Sequence, residues 1–458
     1  GGTIEVRAPY SGELLGRLAA ATETEVGTAV AVATEARRRP FPAWERAQVL
    51  ETAARRLSGR AEEFASRIAG EAAKPLKSAR TETARAVSTF TFAAVEARRL
   101  AGEVVPLDAA PAGASKLGFT LRVPVGVVAA ITPFNFPLNL VAHKLAPAIA
   151  AGCPVVLKPA TATPLTALAL VELLETECGL PAGWVSVVVG RGATVGDALA
   201  THPDVAMVSF TGSADVGWGI RARAPRKKVS LELGNNSPVI VEADADWQKA
   251  VKLIAAGGFS HAGQSCVSTQ RVYVHEAIEA DFCAALVDAV EALALGDPLD
   301  PGTDVSVLIS GAERDRVMAW VAEACAEGAK ALTGAAVSND GIVRPTVLAG
   351  VKPTMRVSRE EIFGPVVAVA SYREFADARD QANDTRYGLQ AGVFTANLRT
   401  ALDAARTLDF GTVLINEVPT WRADQMPYGG VRDSGNTREG PAYAVQEMTQ
   451  PRLVVIDP

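Results

Sequence analysis

The run Val125-Gly-Val-Val-Ala-Ala-Ile131-Thr-Pro-Phe-Asn-Phe-Pro137 leads through Leu138–Ala151 into Gly152-Cys-Pro-Val-Val-Leu157-Lys158-Pro159. Val125–Ile131 is apolar without alternation, as a strand buried on both faces must be. A proline-fixed loop follows, then an apolar segment of helical length, then a second apolar strand. Strand, helix and strand at this spacing predict a parallel sheet wrapped on both faces.

The same alternation extends outward. Downstream, Thr166–Cys178 reads as a helix, Trp184–Val189 as a strand, Asp197–His202 as a short helix and Ala206–Phe210 as a strand, with a further helix after Gly212. From about Pro238 to Asn416 the pattern repeats, predicting a second α/β unit. Upstream, residues 3–19 read as two short strands around Pro9–Gly12, and Thr24 to Leu100 is helical, with apolar residues every three or four positions. Glu103–Arg122 breaks character, with Pro106, Pro111, Gly113 and Gly118 between β-type segments, and reads as a projecting hairpin. Arg452–Ile456 is strand-like and suited to pairing with another edge.

The 458 residues are 48% hydrophobic and 21% charged, which suits two or three globular domains. The net charge of −6 argues against nucleic acid and anionic membrane as partners. Five cysteines without paired spacing and only four histidines make a disulfide framework or a metal site unexpected, and a reducing compartment, the cytoplasm, is the expectation. No apolar run reaches membrane length, and no signal-peptide pattern opens the sequence.

Several short motifs carry chemistry. In Phe259-Ser-His-Ala-Gly-Gln-Ser-Cys266, a cysteine just after Gly-Gln is placed on a tight turn that leaves the thiol in open space; a buried structural cysteine is the plainer reading. Asn135, held between two prolines, is placed to donate its amide to a developing oxyanion, or simply to satisfy a turn. Glu232, among apolar neighbours in Leu231–Pro238, is expected to have a raised pKa, useful to a general base; a structural ion pair is the alternative. Lys158 ends a predicted parallel strand, where open α/β sheets bind ligands. Phe210-Thr-Gly-Ser-Ala-Asp-Val-Gly217 sets Gly-x-x-x-x-Gly between strand and helix, offering helix N–H groups to a pyrophosphate. Glu360-Glu-Ile-Phe-Gly-Pro365 puts Glu361 beside a rigid turn, suited to holding a ribose. Trp421–Gly440 is dense in charges and turn residues and reads as a pocket wall.

In this order and at these spacings, with Gly429-Gly-x-x-x-Ser-Gly435, the motifs resemble the aldehyde dehydrogenase superfamily over essentially the whole chain. The resemblance implies that Cys266 is the nucleophile, that Asn135 and the Cys266 N–H hold the thiohemiacetal oxyanion, and that Glu232 activates water to release the acid from a thioester. It implies NAD or NADP held by Lys158 and Glu361 at the riboses, by Phe210, Gly212, Ser213 and Gly217 along the pyrophosphate, and by Phe363 near the nicotinamide, with Thr132 and Phe134 also binding the cofactor. It implies two Rossmann-like parallel-sheet domains, 1–102 with 125–236 for the cofactor and 237–435 for catalysis. A β oligomerisation element, 103–124 with 436–458, would join dimers or tetramers.

Three departures narrow this reading. Gly234-Asn235-Asn236 replaces the usual Gly-Gly-Lys, which loosens the motif but keeps Glu232. Thr161 stands where NAD-preferring members often carry a Glu that repels a 2′-phosphate; with Lys158 and Arg191 nearby, NADP is expected to be accepted. At the substrate end, Arg422-x-Asp424-x-Met426-Pro-Tyr-Gly-Gly, with Gln264–Gln270 and Asn139–Lys144, resembles the branch of lactaldehyde, glyceraldehyde 3-phosphate and phosphonoacetaldehyde dehydrogenases, acting on small polar aldehydes, with Phe136, Ser265, Arg422 and Tyr428 as substrate-binding residues. Arg422 is expected near the pocket mouth, where its fork of donors suits an anion; a surface ion pair with Asp424 is the alternative. Transfer of the acyl group to coenzyme A, or a non-catalytic binding relative, are the competing function classes, and Glu232 beside Cys266, Asn135 and Lys158 speaks against both.

Overall fold

The computed structural model describes residues 2–458. Five parallel strands form the first sheet, in the order Val185–Val187, Val155–Lys158, Val127–Ile131, Val205–Thr211 and Lys228–Glu232. The chain winds outward one way from Val127–Ile131 and then returns to its other side. The strand order therefore reverses between Val127–Ile131 and Val205–Thr211, and the crevice beyond their carboxyl ends is where such sheets take ligands.

Alternation within the strands builds two cores. Val128, Ala130, Val155 and Leu157 face one layer, with the helices Ala43–Gly59, Leu76–Arg99, Asn139–Ala151 and Leu165–Thr176. Val127, Ala129, Ile131 and Val156 face the other, with Glu23–Ala36 and Ala214–Arg223. Every residue of Asn139–Ala151 is buried, because this helix lies on the sheet under Leu76–Arg99 and Pro441–Glu447. Its first free N–H groups, Leu138 and Asn139, donate to Glu82 Oε1 at 2.9 and 3.0 Å, placing a carboxylate at the positive end of the helix.

The second sheet has seven strands, in the order Lys330–Thr333, Thr346–Ala349, Val366–Tyr372, Arg271–His275, Pro238–Val241, Gln390–Phe394 and Thr412–Ile415; only the first pair is antiparallel. Thr3–Arg7 and Leu14–Ala19 form the expected hairpin. The projecting region differs in detail from the sequence reading. Leu117–Pro124 is the middle strand of an antiparallel sheet, flanked by the two-residue Val104–Val105 and by the chain's own Thr449–Ile456. The expected strand Trp184–Val189 is confined to Val185–Val187, and the Asp197–Thr201 helix is preceded by a wider helical turn, Gly192–Gly196. No helix among the described residues is long and apolar enough to cross a membrane.

Candidate active site

The thiol loop is fixed from both ends. After the helix Trp247–Phe259, three successive residues, His261, Ala262 and Gly263, take the left-handed conformation (φ +51°, +54° and +71°). A Cβ on Gly263 would lie 2.1 Å from the Gly364 carbonyl oxygen, so glycine is required there. Gln264 Nε2 donates to the His261 carbonyl (3.2 Å), and Gln264 Oε1 accepts from Ile309 N–H (2.9 Å). The chain then presents Cys266, half-buried, with Sγ 3.1 Å from Tyr428 Oη. Burial pushes the thiol pKa up to about 12, with the Tyr428 hydrogen bond opposing the shift.

Asn135, at the end of Val127–Ile131, donates its Nδ2 to the Gln264 carbonyl (2.9 Å). Its amide is thereby pinned two residues from the thiol, and Oδ1 has no protein partner. Glu232 closes the strand Lys228–Glu232 and is buried with neither carboxylate oxygen bonded to protein. Burial first, and then the charge of Glu439, hold its pKa well above the usual carboxylate range. Glu439 is driven the other way, chiefly by the Arg422 guanidinium that bonds it at 2.9 Å. Of this pair, Glu232 is the one shifted toward the protonated form.

At the strand-order reversal, Lys158 is buried, and its Nζ reaches only the neighbouring Pro159 carbonyl (3.3 Å). Burial lowers its pKa. Ser213 precedes the helix Ala214–Arg223 without a side-chain cap, leaving the helix N–H groups open. Thr132 is buried with an unpartnered hydroxyl. Across the crevice, Glu361 accepts from Asn235 N–H (3.0 Å), and a Cβ on Gly234 would meet its Oε2 at 2.2 Å, so Gly234 admits the carboxylate. Burial raises the Glu361 pKa to about 7. Phe363 packs edge-on to Phe134, centroids 5.9 Å apart. A buried ammonium without a carboxylate partner, an open helix N-terminus and a half-bonded carboxylate around one crevice fit a dinucleotide.

Two residues of the expected phosphate loop also pack the fold. Phe210 belongs to the core and forms the floor under Gly212, where a Cβ would strike its ring at 2.6 Å. Gly217 lets its helix close on Leu233, 2.4 Å from a would-be Cβ. Thr161 donates its hydroxyl to the Gly190 carbonyl (2.9 Å), and Arg191 is exposed beside it.

A cavity of about 380 Å³ opens on Cys266, Glu232, Phe136, Ser265, Arg422 and Tyr428. Arg422 differs from expectation. It is not at the mouth but buried against the Tyr428 ring (3.7 Å to the centroid), with Nη2 on Glu439. The alternative pairing with Asp424 is absent too: Asp424 Oδ1 takes Arg85 (2.9 Å) and His143 (3.1 Å). The burial of an unpaired cation would be too costly, so the nearest buried carboxylate occupies the fork.

The sequence reading missed the opposite wall. Lys74, Ser78, Thr81, Glu82 and Arg85, at and after the start of Leu76–Arg99, line the cavity, as does His261. Lys74 pairs with Glu82 while its Nζ lies 3.6 Å from the Phe136 ring centroid. Polar residues at i, i+4 on an amphipathic helix look like a solvated face, and nothing local distinguishes them. Among the described residues, no cluster of His, Cys, Asp or Glu could hold a metal ion.

Residues 1–454 match the family model described as "Aldehyde dehydrogenase family". A 3-sulfolactaldehyde dehydrogenase of Priestia aryabhattai is 47% identical over 455 residues, covering 99% of this chain and 95% of that protein. A glyceraldehyde-3-phosphate dehydrogenase of Methanocaldococcus jannaschii, solved with NADP, superposes with TM-score 0.95 at 38% identity, covering 99% of both chains. Aldehyde dehydrogenase 21 of Physcomitrella patens, solved with the product succinate, gives TM-score 0.95 at 38% identity, covering 99% of this chain and 95% of that one. With the thiol loop, the buried carboxylate and the dinucleotide crevice on one scaffold, the chain belongs to the aldehyde dehydrogenase family and is an NAD(P)-dependent oxidoreductase.

Proposed function

We propose that the protein oxidises a small aldehyde bearing an anionic group to its carboxylic acid, with Cys266 as nucleophile and Glu232 as base. The observation that carries this is the shared cavity: a thiol and a buried carboxylate with no protein partner open on the same space. The thiol is protonated at rest, so attack requires its proton to leave. The proton passes to water in the open cavity, and the Tyr428 hydroxyl steadies the thiolate. Addition to the carbonyl gives a thiohemiacetal oxyanion that accepts from Asn135 and the Cys266 N–H. A nicotinamide nucleotide, when bound, supplies the two-electron acceptor. Glu232 then takes a proton from the water that attacks the Cys266 thioester, and the thiolate departs. A carboxylate kept free for that step favours hydrolysis over acyl transfer to coenzyme A.

Lys158 and Glu361 would hold riboses, and Ser213 with the open helix end the pyrophosphate. Thr161, which adds no negative charge, and exposed Arg191 support acceptance of NADP. The sheets fall within the proposed ranges 1–102 with 125–236, 237–435, and 103–124 with 436–458. The antiparallel sheet leaves Leu117, Leu121, Leu453 and Val455 exposed, which supports an oligomer joined there. Five free cysteines accord with a reducing compartment such as the cytoplasm.

The anionic tail is assigned to Arg85. Each cation on the cavity is paired, but Arg85 gives only Nε and Nη2 to one oxygen of Asp424, leaving Nη1 unbonded among the described residues. The substrates named for two of the relatives carry a sulfonate or a phosphate, and the third was solved with a dicarboxylate. Hydrogen bonds to charged groups contribute about 1.5–3 kcal/mol. Arg85→Gln should therefore raise KM for glyceraldehyde 3-phosphate or sulfolactaldehyde roughly 10- to 100-fold, and for propanal less than about threefold. Equal effects on anionic and neutral aldehydes would show that Arg85 serves the fold instead.

A further inference from the structure

We propose that His261 recognises a hydroxyl on the carbon next to the aldehyde, making the enzyme selective for 2-hydroxyaldehydes. The proposal deepens the reading above, since it rests on Cys266 marking the reacting end of the cavity.

His261 is 2% exposed, lines the cavity, and has no protein partner on either ring nitrogen. Its backbone is left-handed (φ +51°), a conformation that costs a non-glycine residue of order 1 kcal/mol or more. The strained residue lies one backbone turn before the thiol in the chain: the His261 carbonyl accepts from Gln264 N–H at 3.1 Å, and Gln264 is two residues before Cys266. A core histidine of the ordinary kind would have found a carbonyl or carboxylate within the fold. Burial, reinforced by the Lys74 ammonium, holds its pKa well below the usual range, so the ring is neutral. A neutral imidazole offers one donor and one acceptor. A hydroxyl can pair with either nitrogen, giving its proton to the acceptor or accepting from the donor. A sulfonate, phosphate or carboxylate satisfies only the donor, and an unsubstituted methylene satisfies neither. Sites that leave buried polar groups unpaired reject the analogue lacking the hydroxyl.

The test uses two neutral probes, lactaldehyde and propanal, with the full chain and saturating NAD or NADP. Neither probe carries an anion, so the outcome does not depend on Arg85. His261→Ala is suited to the backbone, because Ala262 holds the same left-handed conformation (φ +54°). His261→Asn keeps a donor and an acceptor and favours that conformation. The expected result is a fall in kcat/KM for lactaldehyde of roughly 10- to 100-fold in His261→Ala, with a change of less than about threefold for propanal. His261→Asn should recover part of the lost preference. A lactaldehyde-to-propanal ratio unchanged in His261→Ala, or equal losses on both probes, would overturn the proposal. So would a loss confined to anionic aldehydes. The nucleophile assignment fails separately, by turnover that survives Cys266→Ala.

Discussion

Thr161 gives its hydroxyl proton to the Gly190 carbonyl, so it offers a 2′-phosphate no donor; its contribution to cofactor choice is the charge it lacks. A carboxylate there would face a phosphate across roughly 4 Å, worth about 4 kcal/mol per unit charge at an effective dielectric near 20. Solvent and salt at a half-open site reduce this to roughly 1–1.4 kcal/mol, five- to tenfold in affinity. Thr161→Glu should raise KM for NADP by that factor or more and leave maximal rate on NAD nearly unchanged; equal shifts for both nucleotides would place Thr161 away from the 2′ position. Single residues were legible in the sequence where one motif fixes one role. Cys266 and Glu232 open on one cavity, and Asn135 is bonded two residues from the thiol. Asn235 and Asn236, read as a loosening, are stitches instead. Asn235 Nδ2 donates to Ser237 Oγ (2.7 Å) and the Gln390 carbonyl (3.2 Å), while Asn236 Nδ2 reaches the carbonyls of Ser358 (3.0 Å) and Arg359 (3.2 Å). Apart from Ser237, those partners lie more than a hundred positions away in sequence, and no local pattern announces them.

Elements followed the hydrophobic period closely where both faces are buried. Val127–Ile131 is buried along its whole length, and its apolar run gave it away. What the period could not tell was that Leu76–Arg99 turns a polar edge to the cavity, because a helix face toward a wet pocket has the composition of one toward solvent. Nor could it choose the partner of the last strand. Thr449–Ile456 pairs along its full length with Leu117–Pro124, from Thr449 opposite Pro124 to Ile456 opposite Leu117. Its outer edge and the exposed Leu453 and Val455 are what an assembling sheet presents. Leu453→Asp with Val455→Asp should convert the assembly to monomers in light-scattering mass measurements, leaving far-ultraviolet circular dichroism unchanged. A wild-type protein that is already monomeric, or a variant with unaltered mass, would remove this strand from the interface.

Across the whole molecule, two sheets and the helix Leu76–Arg99 supply the groups of the proposed site. The first sheet supplies Asn135, Lys158 and Glu232, the second supplies the turn that carries Cys266 and the Glu361 crevice, and the helix supplies Arg85. The electrostatics give the reaction a direction in pH. Burial raises the pKa of both Cys266 and Glu232, and in the proposed mechanism both act deprotonated, so turnover should fall as pH falls through the raised Glu232 value and rise toward alkaline pH. The covalent mechanism is tested most directly by stopped-flow of Glu232→Gln near pH 8, following reduced nucleotide. The account predicts a burst approaching one equivalent per Cys266, then turnover slowed by about 100-fold or more, as loss of a general base entails. An acyl adduct on Cys266 should be visible by intact mass. Slow turnover without a burst or an adduct, or a Cys266→Ala protein that still reduces nucleotide, would contradict it.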